Sequence, residues 1–274
     1  GRPAGEMSLY TSSMNSSESN RYRLRMYVDE AYNPQGDGGG LSFSVQVNVY
    51  GKDGEKQLSA GETVIEKLTS GDTYDDGVDT FITGEDPNNY IWYSGKLWRA
   101  VYVNNEAKTT KLVTQWNISV VNYNPRNQTN FEGSFIEEWL NDTSVDGFLG
   151  NLRDYEKFIV TDAKWDGTED STSLGSITRP NGTTTVTDAV GLLNMYEYQS
   201  SYIGTTYSNG YLNNGLNWWT LTPYSSSTIR YVNNKGWTYG AEPDVLYGVR
   251  PSINLKSSVK IVEGDGTIDN PYRL

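Results

Sequence analysis

The 274-residue sequence has no cysteine and no histidine. Without cysteine there are no disulfides and no thiolate nucleophiles. Without histidine there is no imidazole base, and the two absences together remove the usual ligands of zinc and copper. Long apolar runs are also missing. No window of about 20 apolar residues is long enough to span a bilayer, and the N-terminus has neither a charged n-region nor an apolar h-region. Gly1–Glu6 therefore reads as a cut edge from which a signal or anchor has been removed. Basic residues are few and scattered: 22 Lys and Arg stand against 34 Asp and Glu, for a net charge of −12. Nothing resembles the basic footprint that neutralises phosphates, so nucleic acid and anionic membrane are poor partners. An acidic, cysteine-free chain rich in Asn, Ser, Thr and Tyr fits the cell surface of a Gram-positive bacterium better than a secreted eukaryotic protein, which at this size would carry disulfides.

What is present suffices for a packed core, with 36% hydrophobic residues and 13% aromatic. Residues 21–30 (RYRLRMYVDE) and 41–50 (LSFSVQVNVY) alternate apolar and polar positions, as strands with one dry face do. Between them, NPQGDGGG is a turn and not a phosphate loop, because no helix start with Lys-Ser/Thr follows it. This segment reads as a small Ig-like β module. Residues 63–68 fit a short helix, and the polar stretch after it sets a boundary near residue 75. The expected organisation is thus residues 1–75 as β module and linker, and 76–274 as a ligand-binding domain. Residues 90–103 (YIWYSGKLWRAVYV) read as a hairpin turning at Ser94–Gly95, with a third strand at 110–116. Two helices are expected: 134–141, capped by Ser134 with Glu137 in the capping-box position and Phe135, Trp139 and Leu140 at helical spacing, and 186–198, capped by Thr187 with an apolar face through Val190, Leu193 and Tyr196.

The last quarter carries the functional signal. NWWTLTP at 217–223 leads into a Tyr/Ser/Asn-crowded segment, then YGVRPSINL at 247–255 and GDGTIDNPYRL at 264–274. Tyr and Trp supply rigid contact area at low entropic cost, while Ser and Asn supply adaptable hydrogen bonds. The expected ligand-binding set is Tyr224, Ser226, Arg230, Tyr231, Asn233, Asn234, Trp237, Tyr239, Glu242, Asp244 and Tyr247. Trp98, Trp139, Trp218 and Trp219 are expected in the core. Arg250 is expected to pin the display loops to that core by bonding loop carbonyls or a carboxylate.

Taken in order, residues 90–100, 134–141 and 190–198 (VGLLNMYEY), the Trp218–Trp219 pair, GVRPSINL and the closing tail resemble the C-type-lectin-like domain of formylglycine-generating-enzyme type found in Firmicutes surface proteins. The resemblance covers residues 80 to 274. It implies an α+β module with two helices around small antiparallel sheets, and a display surface over 224–247, as in the variable proteins of diversity-generating retroelements. The enzyme branch acts through cysteines, so no catalytic residue carries over. Glu242–Asp244 (EPD) superficially resembles the calcium loop of sugar-binding lectins.

The expected function is extracellular recognition of a protein on a host or neighbouring cell, with glycan second, no enzymatic activity and no required cofactor. A structural calcium is compatible with the acidic loops 162–170 and 264–270, with no ligand set defined. The alternatives are a pilus or fibre subunit that self-assembles through the N-terminal module, and a glycoside hydrolase using Glu137, Glu138 or Glu197. Asn-x-Ser/Thr triplets at Asn117, Asn127, Asn141 and Asn181 read as compositional coincidence.

Overall fold

The computed structural model describes residues 58–68 and 72–274, together with Arg21 and Arg23. The two strands expected within residues 21–50 lie outside the described residues. The described unit spans Leu58–Leu274. Helix α1 (Ala60–Glu66) falls before the boundary expected near residue 75, yet it packs into this unit: Ala60 and Val64 are buried and the Ala60 amide donates to the Val259 carbonyl at 2.8 Å.

The expected α+β class with two helices is corrected: the described residues are mostly β, 31% strand and 14% helix. Three sheets, antiparallel and mixed, form no barrel among the described residues. The largest has eight strands: β1 (Thr73–Asp75), β2 (Asp79–Ile82), β3 (Tyr90–Tyr93), β4 (Lys96–Asn104), β5 (Thr110–Thr114), β9 (Val190–Gly191), β14 (Ser252–Leu255) and β15 (Tyr272–Arg273). Its main path runs β1-β2-β4-β5-β14-β9, with β3 between β4 and a parallel β15. A five-stranded sheet runs β12 (Thr238–Ala241), β11 (Thr228–Val232), β10 (Trp218–Ser225), β13 (Leu246–Val249), β6 (Ser119–Asn122), with β10 and β13 parallel. The third sheet pairs β7 (Ala163–Asp166) with β8 (Thr185–Asp188). The other helices, α2 (Phe135–Asn141), α3 (Tyr155–Phe158) and α4 (Met195–Ser200), are at most seven residues long.

Local chemistry explains most of these elements. The β3–β4 hairpin turns at Ser94 and Gly95, both at positive φ (52° and 71°), as a two-residue primed turn requires. Ser134 caps α2 as read, but Glu137 bonds the Gly133 amide at 3.2 Å and does not close the box on Ser134. The buried face of α2 is Ile136 and Leu140. Phe135 is exposed and Trp139 half-buried, its ring tilted against Phe148 at a centroid distance of 5.9 Å.

The helix expected over 186–198 is two strands followed by a shorter helix. Val186, Thr187 and Val190 are β-branched and prefer the pleat. The true start signal is Asn194-x-x-Glu197: the Asn194 side chain accepts from the Glu197 amide and Glu197 accepts from the Asn194 amide, both at 2.9 Å.

Trp98, Trp165, Trp218 and Trp219 are fully buried. Each ring removes about 150–250 Å² from water, a gross stabilisation on the order of 4–6 kcal/mol. Trp219 fills the interior below β10 with Tyr123, and Trp218 packs on Tyr198.

Candidate functional site

The expected display residues do not form one loop platform. Most of 224–247 is strand, and the register divides its side chains. Trp219 pairs with Tyr231 and Tyr231 with Tyr239, so these share a face, joined by Tyr247 stacked on Tyr231 at 4.2 Å. Arg230 and Gly240 alternate with that pair and so lie on the other face, where Tyr224 packs against both. The β11–β12 turn carrying Asn233, Asn234 and Trp237 is at the opposite end of the strands from Ser226 and the Glu242–Asp244 turn.

Several expected contact residues are occupied by the fold. Arg230 is buried; its Nε donates to the Asp170 carbonyl at 2.7 Å, Nη1 to Thr238 Oγ1 at 3.1 Å, and Nη2 to the Thr172 carbonyl. Asn233 Oδ1 accepts the Lys235 and Trp237 amides, closing its own turn. The Asn234 amide donates to Asn217 Oδ1. Burial and the hydrogen bond with Tyr247 push the Tyr231 phenol up to about 12. Tyr224, Trp237 and Tyr239 are exposed, on different parts of the sheet. Arg250 donates to the carbonyl of Thr114, at the end of β5, at 2.8 Å and to the loop carbonyl of Leu212 at 2.5 Å, so it fastens the segment before β10 to that strand and does not reach 224–247.

The acidic loops are turns closed on themselves. Asp166 accepts from the Thr168 amide and hydroxyl and from the Gly182 amide, and Asp265 from the Thr267 amide and hydroxyl. Among the described residues no group of three or more carboxylates is placed to hold a metal ion.

The concave site lies elsewhere. A cavity of about 130 Å³ is lined by Lys111 of β5, Tyr102 of β4, Trp165 of β7, Glu197 of α4, and Arg179 with Pro180 of the β7–β8 connection, among others. A recess of about 480 Å³ adjoins it through two shared residues, Arg179 and Tyr196; its walls are Tyr74, Tyr202, Tyr207, Ile177 and Ile203. Glu197 is set by its capping role: one oxygen closes the cap of α4, the other meets Lys111 Nζ at 3.2 Å and accepts from the Tyr102 hydroxyl at 3.2 Å. Lys111 is buried, with Nζ 3.8 Å from the centre of the Trp165 ring. Burial lowers its pKa, against the pull of Glu197, and burial first and Glu197 second push the Tyr102 phenol well up.

Arg179 holds the β7–β8 connection to the β1–β2 hairpin. Its Nε donates to Asp76 Oδ2 at 3.0 Å, and Nη2 bonds both Asp76 and, at 2.7 Å, Asp79. Tyr196 donates to the same Asp76 oxygen at 2.6 Å. Desolvation works to raise the Asp76 pKa, but bonds from Tyr196, the Asp79 amide, Arg179 and the Val78 amide together hold it down to about 2. In the recess, Gln199 fastens the connection by accepting the Gly175 and Ile177 amides and donating to the Ile177 carbonyl. The Tyr202 ring lies against Gly204 and Gly210, where a Cβ would approach it to 2.8 and 3.3 Å. Ile203 is 65% exposed.

Sequence reasoning did not assemble this groove: Glu197 was weighed as a hydrolase carboxylate, Tyr196 was placed on a helix face, and Lys164, Trp165 and Asp166 lay in the acidic loop 162–170 considered for calcium. Lys111, Arg179 and Tyr202 stand in three distant stretches without a motif. The Asn194-x-x-Glu197 box was the one local signal.

No helix among the described residues is long and apolar enough to cross a membrane. No curated protein and no solved structure matches the chain. A family model described as a domain of unknown function, DUF6273, matches residues 107–257, just over half of the sequence and all of the cavity lining except Tyr102. The chain belongs to the DUF6273 family.

Proposed function

We propose that this chain is the extracellular part of a bacterial surface protein of adhesin or receptor-binding type, which recognises a macromolecular ligand, protein first, without chemistry on it. The observation that carries the reading is a small polar cavity beside a tyrosine-lined recess, the two sharing Arg179 and Tyr196 as lining residues. Concave sites with apolar walls and a few converging polar groups are where ligands bind, and tyrosine gives them contact area at low entropic cost. The carboxylates considered for glycoside hydrolysis support binding over catalysis, because Glu197 is engaged by a helix cap and Lys111, and Glu137 accepts the Gly133 amide.

A glycan and cell-surface protein array, probed with and without calcium, tests the reading. Tyr202→Ala/Ile203→Ser is expected to abolish binding, whereas Tyr224→Ala/Trp237→Ala/Tyr239→Ala is expected to retain it. The reverse pattern would move the contact surface to the five-stranded sheet, and calcium dependence would move glycan ahead of protein. A fibre subunit is the second reading, favoured by β6, an uncharged edge strand where Val120 and, on the adjoining strand, Leu246 are each 60% exposed. Concentration-dependent association in sedimentation would favour it.

A further inference from the structure

The recess beside the cavity has acidic surroundings. Residues 72–79, which supply Tyr74 to its wall, hold Asp72, Asp75, Asp76 and Asp79 and no Lys or Arg. Among the described residues Arg179 is the one charged group in the lining, and it is ion-paired to both Asp76 and Asp79. Glu197, next to Tyr196, is matched by Lys111. Asp72 and Asp75 have no cation partner among the described residues; Asp75 accepts from neutral donors, the Gly77 amide and Asn105 Nδ2, each at 2.8 Å. The closed ion pairs therefore leave surplus carboxylate around the recess, in a chain of net charge −12. A cation entering it meets an Arg179 already neutralised, whereas an anion is repelled.

The rings and hydroxyls of the wall narrow the choice. Tyr202 and Tyr207 meet edge to face with centroids 5.9 Å apart, and Tyr74 is exposed. None of these three hydroxyls has a hydrogen-bond partner among the described residues. An apolar side chain covering them would strip their water and give nothing back. A guanidinium donates N–H groups to phenol oxygens, stacks on ring faces and is more weakly hydrated than an ammonium.

We propose that the recess takes an arginine side chain of the protein ligand, held by the ring faces and hydroxyls of Tyr74, Tyr202 and Tyr207 in the field of the carboxylates of residues 72–79. This rests on the groove being the binding site.

The test uses the full chain and acetylated, amidated pentapeptides with Arg, citrulline or Asp between alanine pairs, followed by NMR titration. Citrulline keeps the shape of arginine without its charge. The Arg peptide is expected to bind at least about fivefold tighter than the citrulline peptide, the scale of one cation–π contact, with the Asp peptide weakest. Tyr202→Leu is expected to erase the Arg preference and Tyr202→Phe to keep part of it. Should Tyr202→Leu fail to fold, Tyr74→Leu, at an exposed position, is expected to shrink the same ratio. Added salt is expected to weaken only the Arg peptide. An Arg peptide that binds no tighter than its citrulline twin, or not at all, would overturn the inference. Array capture lost in Tyr202→Ala/Ile203→Ser would then leave the groove standing, and capture untouched would overturn both. An Arg preference that survives Tyr202→Leu and Tyr74→Leu would overturn the recess as its seat. Capture of a neutral glycan alone, lost in Tyr202→Ala/Ile203→Ser, would overturn the peptide and assign the recess to sugar.

Discussion

Asp188 shows how one side chain sets a pH response. Its Oδ2 is buried with no hydrogen-bond partner among the described residues, and desolvation first, then the charges of Glu137 and Glu132, raise its pKa to about 7. A carboxyl whose folded pKa exceeds its unfolded value binds more protons when folded, so it costs stability as pH rises from about 4 to about 7. Asp188→Asn is therefore expected to stabilise the protein at pH 8, by about 1 kcal/mol once solvent screening at this half-exposed site is allowed for, and to make no difference below pH 4. Thermal melts across pH check this, and an unchanged melting temperature at pH 8 would contradict it. Lys111 is the opposite case, a buried cation compensated by Glu197. Lys111→Met leaves that carboxylate stranded and is expected to cost about 3–5 kcal/mol in urea unfolding, whereas Lys111→Met/Glu197→Gln is expected to recover a large part of it.

At the scale of elements, caps and close approaches carry the local decisions. Removing the Asn194 cap of α4 by Asn194→Ala is expected to cost about 1 kcal/mol. It also frees Glu197 to swing away from Lys111, so cavity-dependent binding should fall with stability; a stability loss alone would separate the two. The β9 strand allows no side chain at Gly191, where a Cβ would come within 2.3 Å of the buried Trp165 ring. Gly191→Ala is expected to destabilise by about 1–3 kcal/mol, measurable as a shift in denaturant midpoint. Elements with complete local signals were legible: the Ser94–Gly95 hairpin and the Ser134 cap lie where turn and cap chemistry put them. The 186–198 segment was misread because Val190, Leu193 and Tyr196 show helical spacing across what is a strand, a bend and a helix start. Asn141 marks the join, its side chain both donating to the Val190 carbonyl and accepting the Val190 amide.

For the molecule as a whole, the connection between β7 and β8 is held over the groove by ionised groups. The Asp76 carboxyl is held down to about 2, below its ordinary 3.8. Its contribution to stability is therefore present above about pH 4 and lost as pH falls toward 2. Amide exchange in residues 175–182 is expected to accelerate over that window, and Asp76→Asn to remove the acid dependence; exchange that stays flat between pH 4 and 2 would place the fastening elsewhere. The sequence by itself determined the absence of thiol and imidazole chemistry, the acidic surface, the hairpin and cap positions and the burial of Trp98, Trp218 and Trp219, because composition, turn residues and large apolar rings act locally or through water. Only the tertiary structure decided that the described residues are mostly β, that Tyr224 and Tyr231 point to opposite faces, that Arg230 is a buried brace, and that Lys111, Arg179 and Glu197 meet. Strand register and long-range pairing fix which side chains share a face, and these depend on partners up to a hundred or more positions away, as between Arg179 and Asp76.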